Sequence, residues 1–146
     1  MKLMEKILSK ENLQIAIKKV KANKGAPGID KMTVQDIECW LEQYQEELIE
    51  MIMNKQYRPM PVKRVYIPKP NGKQRPLGIP TVIDRVIQQA MLQVLSNIYE
   101  PIFSKHSYGF RPRRSAHMAM EEALQYLNEG YEWIVDLDIE KFFDTV

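Results

Sequence analysis

Apolar positions recur along this chain with two different periods. Over residues 3–23, Leu3, Ile7, Leu8, Leu13, Ile15, Ile17 and Val20 stand among lysines, at the spacing of an amphipathic helix. The pattern predicts a helix with a break near Ser9, whose Ser-Lys-Glu-Asn run starts a fresh N-cap. "NKGAPGID" (23–30) is a loop, punctuated by two glycines and a proline. Thr33 is expected to cap a second helix over 34–53, with Asp36 as a short capping-box partner. The period then changes. In "PMPVKRVYIPKPNGKQRPLGIP" (59–80), Val62, Arg64 and Tyr66 alternate with Lys63, Val65 and Ile67, which predicts short strands. Pro70-Asn71-Gly72-Lys73 reads as their turn, because Asn-Gly suits the left-handed backbone of a tight hairpin. The prolines place at least one strand at an edge or an end. Thr81 is expected to cap a third helix over 82–99, with Val82, Val86, Ile87, Ala90, Met91, Val94, Leu95 and Ile98 as its buried stripe. A loop follows over 100–115, then a fourth helix from the Ser115 cap to Asn128-Glu129-Gly130, and a last strand over 131–138. Helices, hairpin, two helices and a strand make an α+β order, not a repeating βαβ one.

The chain has 146 residues, enough for one domain with a core of its own. Its single Cys39 offers no internal disulfide and no Cys-rich zinc site, which fits a reducing compartment. The N-terminus lacks a secretory pattern, and no apolar run nears the ~20 residues that span a bilayer. A cytoplasmic protein with no membrane partner is therefore expected. Net charge is only +2, but it is unevenly spread. Residues 51–83 carry seven Lys or Arg and no acid, and residues 101–120 carry four and no acid. The first 50 residues are balanced, with eight bases and nine acids. Tyr57, Tyr66, Tyr108 and Phe110 are interleaved with the basic runs. A basic run alone is commonly a solvated face; two long acid-free runs with aromatics favour a polyanion partner.

The closing run "WIVDLDIEKFFDTV" (133–146) carries the candidate chemistry. Alternation puts Trp133, Val135 and Leu137 on one face and Ile134, Asp136 and Asp138 on the other. Such acids are either ordinary strand-end carboxylates or oxygen donors for a hard divalent ion such as Mg²⁺, which keeps waters and phosphates in its remaining positions. In the hairpin, Lys69 and Arg75 flank the turn. They either keep a surface hairpin soluble or hold a triphosphate, one as a point charge and the other as a fork. A metal-binding carboxylate with a cationic hairpin suits nucleotidyl transfer, where positioning and charge neutralisation dominate.

"YIPKPNGKQRPLGIPTVIDRVIQQA" (66–90), "HSYGFRPRRSAHMA" (106–119) and "VDLDIEKFFD" (135–144) resemble three consecutive motifs of reverse transcriptases encoded by bacterial group II introns. "NKGAPGIDKMT" (23–33) resembles the additional N-terminal motif of those enzymes. The resemblance covers about residues 20–146, and four motifs in the right order and spacing make it specific. It implies a right-hand polymerase, with an N-terminal extension over 1–33, fingers over 34–130 and the start of the palm over 131–146. By position, Asp138 is the first catalytic metal ligand and Ile139 adds its backbone carbonyl to Mg²⁺. Phe143 takes the place of an aromatic residue set against the sugar of the incoming nucleotide. Lys69 and Arg75 match residues that hold the triphosphate. Asp136 matches no invariant ligand, and Asp144 is expected to cap a helix after the strand. Arg111 and Arg114 either contact phosphate or pair with acids in the core. Lys63, Arg64 and Lys73 join them as RNA-binding candidates, and Gly109 matters for its backbone.

The implied partners are template or intron RNA, primer DNA and deoxynucleotides. The family's second carboxylate motif, which ends in two adjacent aspartates, has no counterpart in these 146 residues. The expectation is a truncated product or a fragment that alone does not polymerise, because a two-metal site needs both motifs. A non-catalytic, maturase-like RNA-binding fragment is the alternative, as is a reverse transcriptase of a retron, a diversity-generating element or a CRISPR locus. The oligomeric state stays open, with exposed apolar surface able to drive self-association.

Overall fold

Hydroxyl caps divide the chain into its helices. In the computed structural model, residues 2–68, 70, 72–140 and 142 are described. Helix α1 (Leu3–Ile7) stops before Ser9, whose hydroxyl accepts the Asn12 N–H and starts α2 (Lys10–Ala22). Thr81 accepts the Asp84 N–H at the start of α4 (Val82–Tyr99), and Ser115 accepts the Met118 N–H at the start of α5 (Ala116–Asn128). Each such bond satisfies an amide that the helix leaves unpaired. Gly130, just beyond α5, has φ +95°, where glycine carries no Cβ penalty.

Thr33 behaves differently from the expectation. Its N–H and hydroxyl both donate to the Asp36 carboxylate, at 2.8 and 2.6 Å, and Asp36 N–H donates back to the Thr33 carbonyl. This closed turn occupies 34–36, so α3 spans Ile37–Met53 instead of starting at residue 34.

The chain forms two compact units, Met1–Pro101 and Ile102–Val146. The first contains α1 to α4 and a hairpin of β1 (Lys63–Pro68) with β2 (Gln74–Ile79). The hairpin is antiparallel, with Lys63 opposite Ile79 and Pro68 opposite Gln74. Gly72 in its turn has φ +76°, as the Asn-Gly pair led us to expect. Both strands are edges, which accommodates Pro68 and Pro76.

The core of this unit is helical. Leu13, Ala16 and Val20 of α2, Ile37 and Leu41 of α3, and Val82, Val86 and Ala90 of α4 are buried together. Each large apolar side chain contributes roughly 1.5–3 kcal/mol when removed from water. Asn12 adds a polar tie: its amide donates to the carbonyls of Ile7 and Ala90, and Gln93 donates to Asn12. The expected α4 stripe holds as far as Val94, which packs on the core, but Ile98 is exposed.

In the second unit, α5 buries none of its side chains. Residues 131–139 form no strand, contrary to the alternation, and all of 131–140 are exposed. Among the described residues the one ladder is β1 with β2, so no partner strand lies beside 131–138 among them. The architecture is α+β, with helices and a small two-stranded sheet.

Candidate nucleic-acid and nucleotide site

The basic hairpin hangs from one buried acid. Asp84 lies in the first turn of α4 and is 4% exposed. One carboxylate oxygen accepts the Tyr57 hydroxyl, while the other accepts the Thr81 hydroxyl at 2.6 Å and the Met60 N–H at 3.3 Å. Met60 lies just before β1 and Thr81 just after β2, so a single side chain holds both roots of the hairpin. Burial, together with the bond to Asp84, pushes the Tyr57 hydroxyl well above its usual range.

The 23–30 loop closes over the same point. A Cβ at Gly28 would lie 2.7 Å from Thr81 Cα and 2.9 Å from Thr81 N, so only glycine allows this backbone approach. Arg85, the next residue of α4, donates to the Ala26 carbonyl at 2.7 Å. The N-terminal motif and the hairpin motif are thus joined at the start of α4. A cleft of about 420 Å³, walled by Trp40, Tyr44, Tyr57 and Arg58, opens beside them.

Beyond its roots the hairpin is exposed on nearly every residue. The register puts Lys63, Val65 and Ile67 on one face with Ile79, Leu77 and Arg75, and Arg64 and Tyr66 on the other with Gly78 and Pro76. Lys63 and Arg75 therefore share a face and Arg64 opposes them. Lys73 is exposed in the turn. Lys69 lies outside the described residues.

In the second unit the 102–115 loop is organised around Glu122 of α5. Its two oxygens take His106 Nδ1 and the Tyr108 hydroxyl, each at 2.6 Å. The Tyr108 bond, followed by contact with His106, holds the Glu122 carboxyl below its ordinary range against an opposing desolvation effect; the same bond raises the Tyr108 hydroxyl. Arg111 donates to the carbonyls of Ser104 and Ser107 at 2.7 and 3.1 Å and lies over the Phe103 ring. Arg114 donates to the Lys105 carbonyl at 3.0 Å and lies over the Tyr108 ring. Gly109 is open, with nothing within 4 Å of an added Cβ.

Asp136, Asp138 and Ile139 are exposed on the irregular 131–139 segment. Among the described residues no three His, Cys, Asp or Glu side chains cluster as metal ligands, and no helix is long and apolar enough to cross a membrane. Phe143 and Asp144 lie outside the described residues.

Sequence reasoning missed Asp84, Arg85 and Glu122. For Asp84 a signal existed: Thr81-Val82-Ile83-Asp84 has the Ser/Thr-x-x-acid pattern of a capping box. Nothing local marked Glu122, whose main partners lie 14 and 16 residues away.

The chain matches the reverse transcriptase (RNA-dependent DNA polymerase) family over residues 67–146. It is 38% identical over 151 aligned positions to protein YkfC of Escherichia coli (strain K12), covering 99% of this chain and 40% of that protein. It is 37% identical over 147 positions to the group II intron-encoded protein LtrA of Lactococcus lactis subsp. cremoris, covering 99% of this chain and 24% of LtrA. To the putative COX1/OXI3 intron 2 protein of Saccharomyces cerevisiae it is 33% identical over 136 positions, covering 92% of this chain and 16% of that protein. The chain thus spans less than half the length of these relatives.

Proposed function

The chain belongs to the reverse transcriptase family, among its group II intron-encoded members, and from that premise we propose that it forms the fingers and the opening of the palm of an RNA-directed DNA polymerase. In this reading residues 1–33 are the N-terminal extension, 34–130 the fingers and 131–146 the start of the palm. The basic surfaces hold template or intron RNA, through Lys63, Arg64, Lys73, Arg111 and Arg114. Lys69 and Arg75 hold the triphosphate of the incoming deoxynucleotide, and Phe143 sits against its sugar. Primer DNA is the other strand of the complex.

Asp138 and the Ile139 carbonyl would hold Mg²⁺. Their oxygens are the hard donors that this ion takes, and it needs only one or two protein carboxylates beside phosphates and waters. The ion supplies neutralisation of charge on the transferring phosphate. The residues' own part is to position it: Asp138 offers an exposed carboxylate. No two aspartates are adjacent in these 146 residues, so the second carboxylate motif is not among them. In our reading the 146 residues alone bind RNA without extending a primer. The alternative, a maturase-like RNA-binding role, uses the same basic surface.

The observation that carries the proposal is the family match together with an exposed basic hairpin whose two roots are held by Asp84. RNA affinity measured against salt tests it. If about five phosphates are neutralised, the log–log slope on single-stranded RNA is near −3 to −4. Neutralising Lys63, Arg64, Lys69, Lys73 and Arg75 together flattens the slope, while changing Lys2 and Lys6 leaves it. A slope near zero for the parent chain refutes the phosphate contacts.

A further inference from the structure

We propose that Arg113 is the phosphate-contacting residue of the 102–115 loop, and that Arg111 and Arg114 are positioning residues that set the loop's shape. The inference rests on the RNA-binding reading and refines it: within this loop the phosphate contact assigned above to Arg111 and Arg114 passes to Arg113.

Three arginines crowd into four positions, Arg111-Pro112-Arg113-Arg114, and the structure treats them differently. Arg111 and Arg114 are half-buried and turn inward to the carbonyls of Ser104, Ser107 and Lys105 and to the rings of Phe103 and Tyr108. A guanidinium engaged in this way fixes backbone, and fewer of its N–H groups remain for a ligand. Arg113 is exposed and makes no hydrogen bond or ion pair to another described residue.

Its backbone is also unusual. The Arg114 N–H reaches the Arg111 carbonyl at 3.4 Å, Pro112 follows Arg111, and Arg113 has φ +58°. This is a turn with proline in its second position and a left-handed residue in its third, where glycine is the residue of choice. A long side chain in that position is disfavoured by its own Cβ. It persists because the rest of the loop over-determines the turn, and such outliers collect at functional positions. Here the determinants are the two inward arginines and the Glu122 clasp on His106 and Tyr108. Glu122 itself is engaged by His106, Tyr108 and Tyr126. The result is a planar, five-donor cation held out at a turn, a form suited to a phosphodiester oxygen pair.

Substitution by glycine separates charge from fold, because glycine fits this backbone better than arginine does. The experiment measures binding of the whole chain to a 20-nucleotide single-stranded RNA by fluorescence anisotropy across a potassium chloride series. The parent, Arg113→Gly and Arg113→Lys are compared, and their melting temperatures are recorded. The expected result is a log–log slope shallower by about 0.7 for Arg113→Gly, or about fivefold weaker binding at 0.1 M salt relative to 1 M. Its melting temperature should be no lower than the parent's, and Arg113→Lys should keep the slope. A parental slope retained by Arg113→Gly overturns the inference and leaves the RNA-binding reading standing. Equal loss of slope in the glycine and lysine variants also overturns it, since charge would not be the cause. A parent chain without salt-dependent RNA binding overturns the reading and the inference together.

Discussion

Removing the Asp84 carboxylate should unfasten the hairpin from the helical unit. Asp84 accepts three hydrogen bonds, from Tyr57, Thr81 and Met60, while 4% exposed. Bonds to a carboxylate contribute roughly 1.5–3 kcal/mol each. They do not simply add, because the Tyr57 hydroxyl is only part-buried and can donate to water once the carboxylate is gone. Each neutral donor left buried without its acceptor costs about 1–3 kcal/mol, and for three donors that re-pair in part we expect about 3–5 kcal/mol in all. Stabilities of small domains are about 5–15 kcal/mol, so the loss takes a large share. For a unit of this size it lowers the melting temperature by on the order of 10–20 °C. Asp84→Asn keeps one acceptor oxygen and should lose about half as much. The chain has two tryptophans: Trp40 packs on the core of the first unit, while Trp133 is 95% exposed in the second. In a Trp133→Phe background, Trp40 fluorescence during urea unfolding therefore reports the unit that Asp84 holds. Tyr57→Phe, alone and combined with Asp84→Ala, should return a coupling energy of about 0.5–3 kcal/mol. An Asp84→Ala stability within about 0.5 kcal/mol of the parent, the level of an ordinary surface change, would refute the account of the hairpin root.

Gly28→Ala should lose about 1–3 kcal/mol in the same fluorescence assay, the usual cost of overpacking, because the new methyl meets the Thr81 backbone at 2.7 Å. Gly25→Ala should lose less, since its nearest obstacle is the movable end of the Arg85 side chain; the reverse order would contradict the packing. In the second unit Glu122 has a lowered folded pKa, so its stabilisation of the loop is complete above the ordinary glutamate value and disappears as pH falls through the folded one. The side-chain resonances of Tyr108 should therefore shift to free values only on the acid side of the ordinary glutamate range, and Glu122→Gln should abolish that step. Retention of the step in the glutamine variant would place the titration elsewhere.

Features closed by local bonds were legible in the sequence. Ser9, Thr81 and Ser115 each bond an amide three residues on, so a hydroxyl before an apolar periodic run was sufficient signal. The hairpin was legible for the same reason, its strands being joined by the short Asn-Gly segment that also sets their register. Thr33 shows the limit of such reasoning. It has a hydroxyl and a nearby acid, as a cap does, but the acid took both of its donors and closed a turn ahead of the helix. The hubs were harder to see. Asp84 meets Tyr57 across 27 residues, and Glu122 meets His106 across 16, so their roles belong to tertiary packing. Arg111 and Arg114 could be recognised as important from the motif, but only the backbone of their loop separates them from Arg113.

The 131–138 segment makes the same point through its failure. Its alternation of Trp133, Val135 and Leu137 with Asp136 and Asp138 is more regular than anything in β1, yet β1 is a strand and this segment is not. Alternation states which side chains would share a face; it does not supply the neighbour whose amides and carbonyls complete a ladder. β1 finds that neighbour six residues downstream through a loop that is cheap to close. No described residue offers one to 131–138. The alternation alone therefore does not fix the position of the Asp138 carboxylate, and its assignment as a metal ligand rests on the motif that contains it. The hairpin reverses this dependence: its local ladder forms with its own residues, and Asp84 then fixes where the ladder stands.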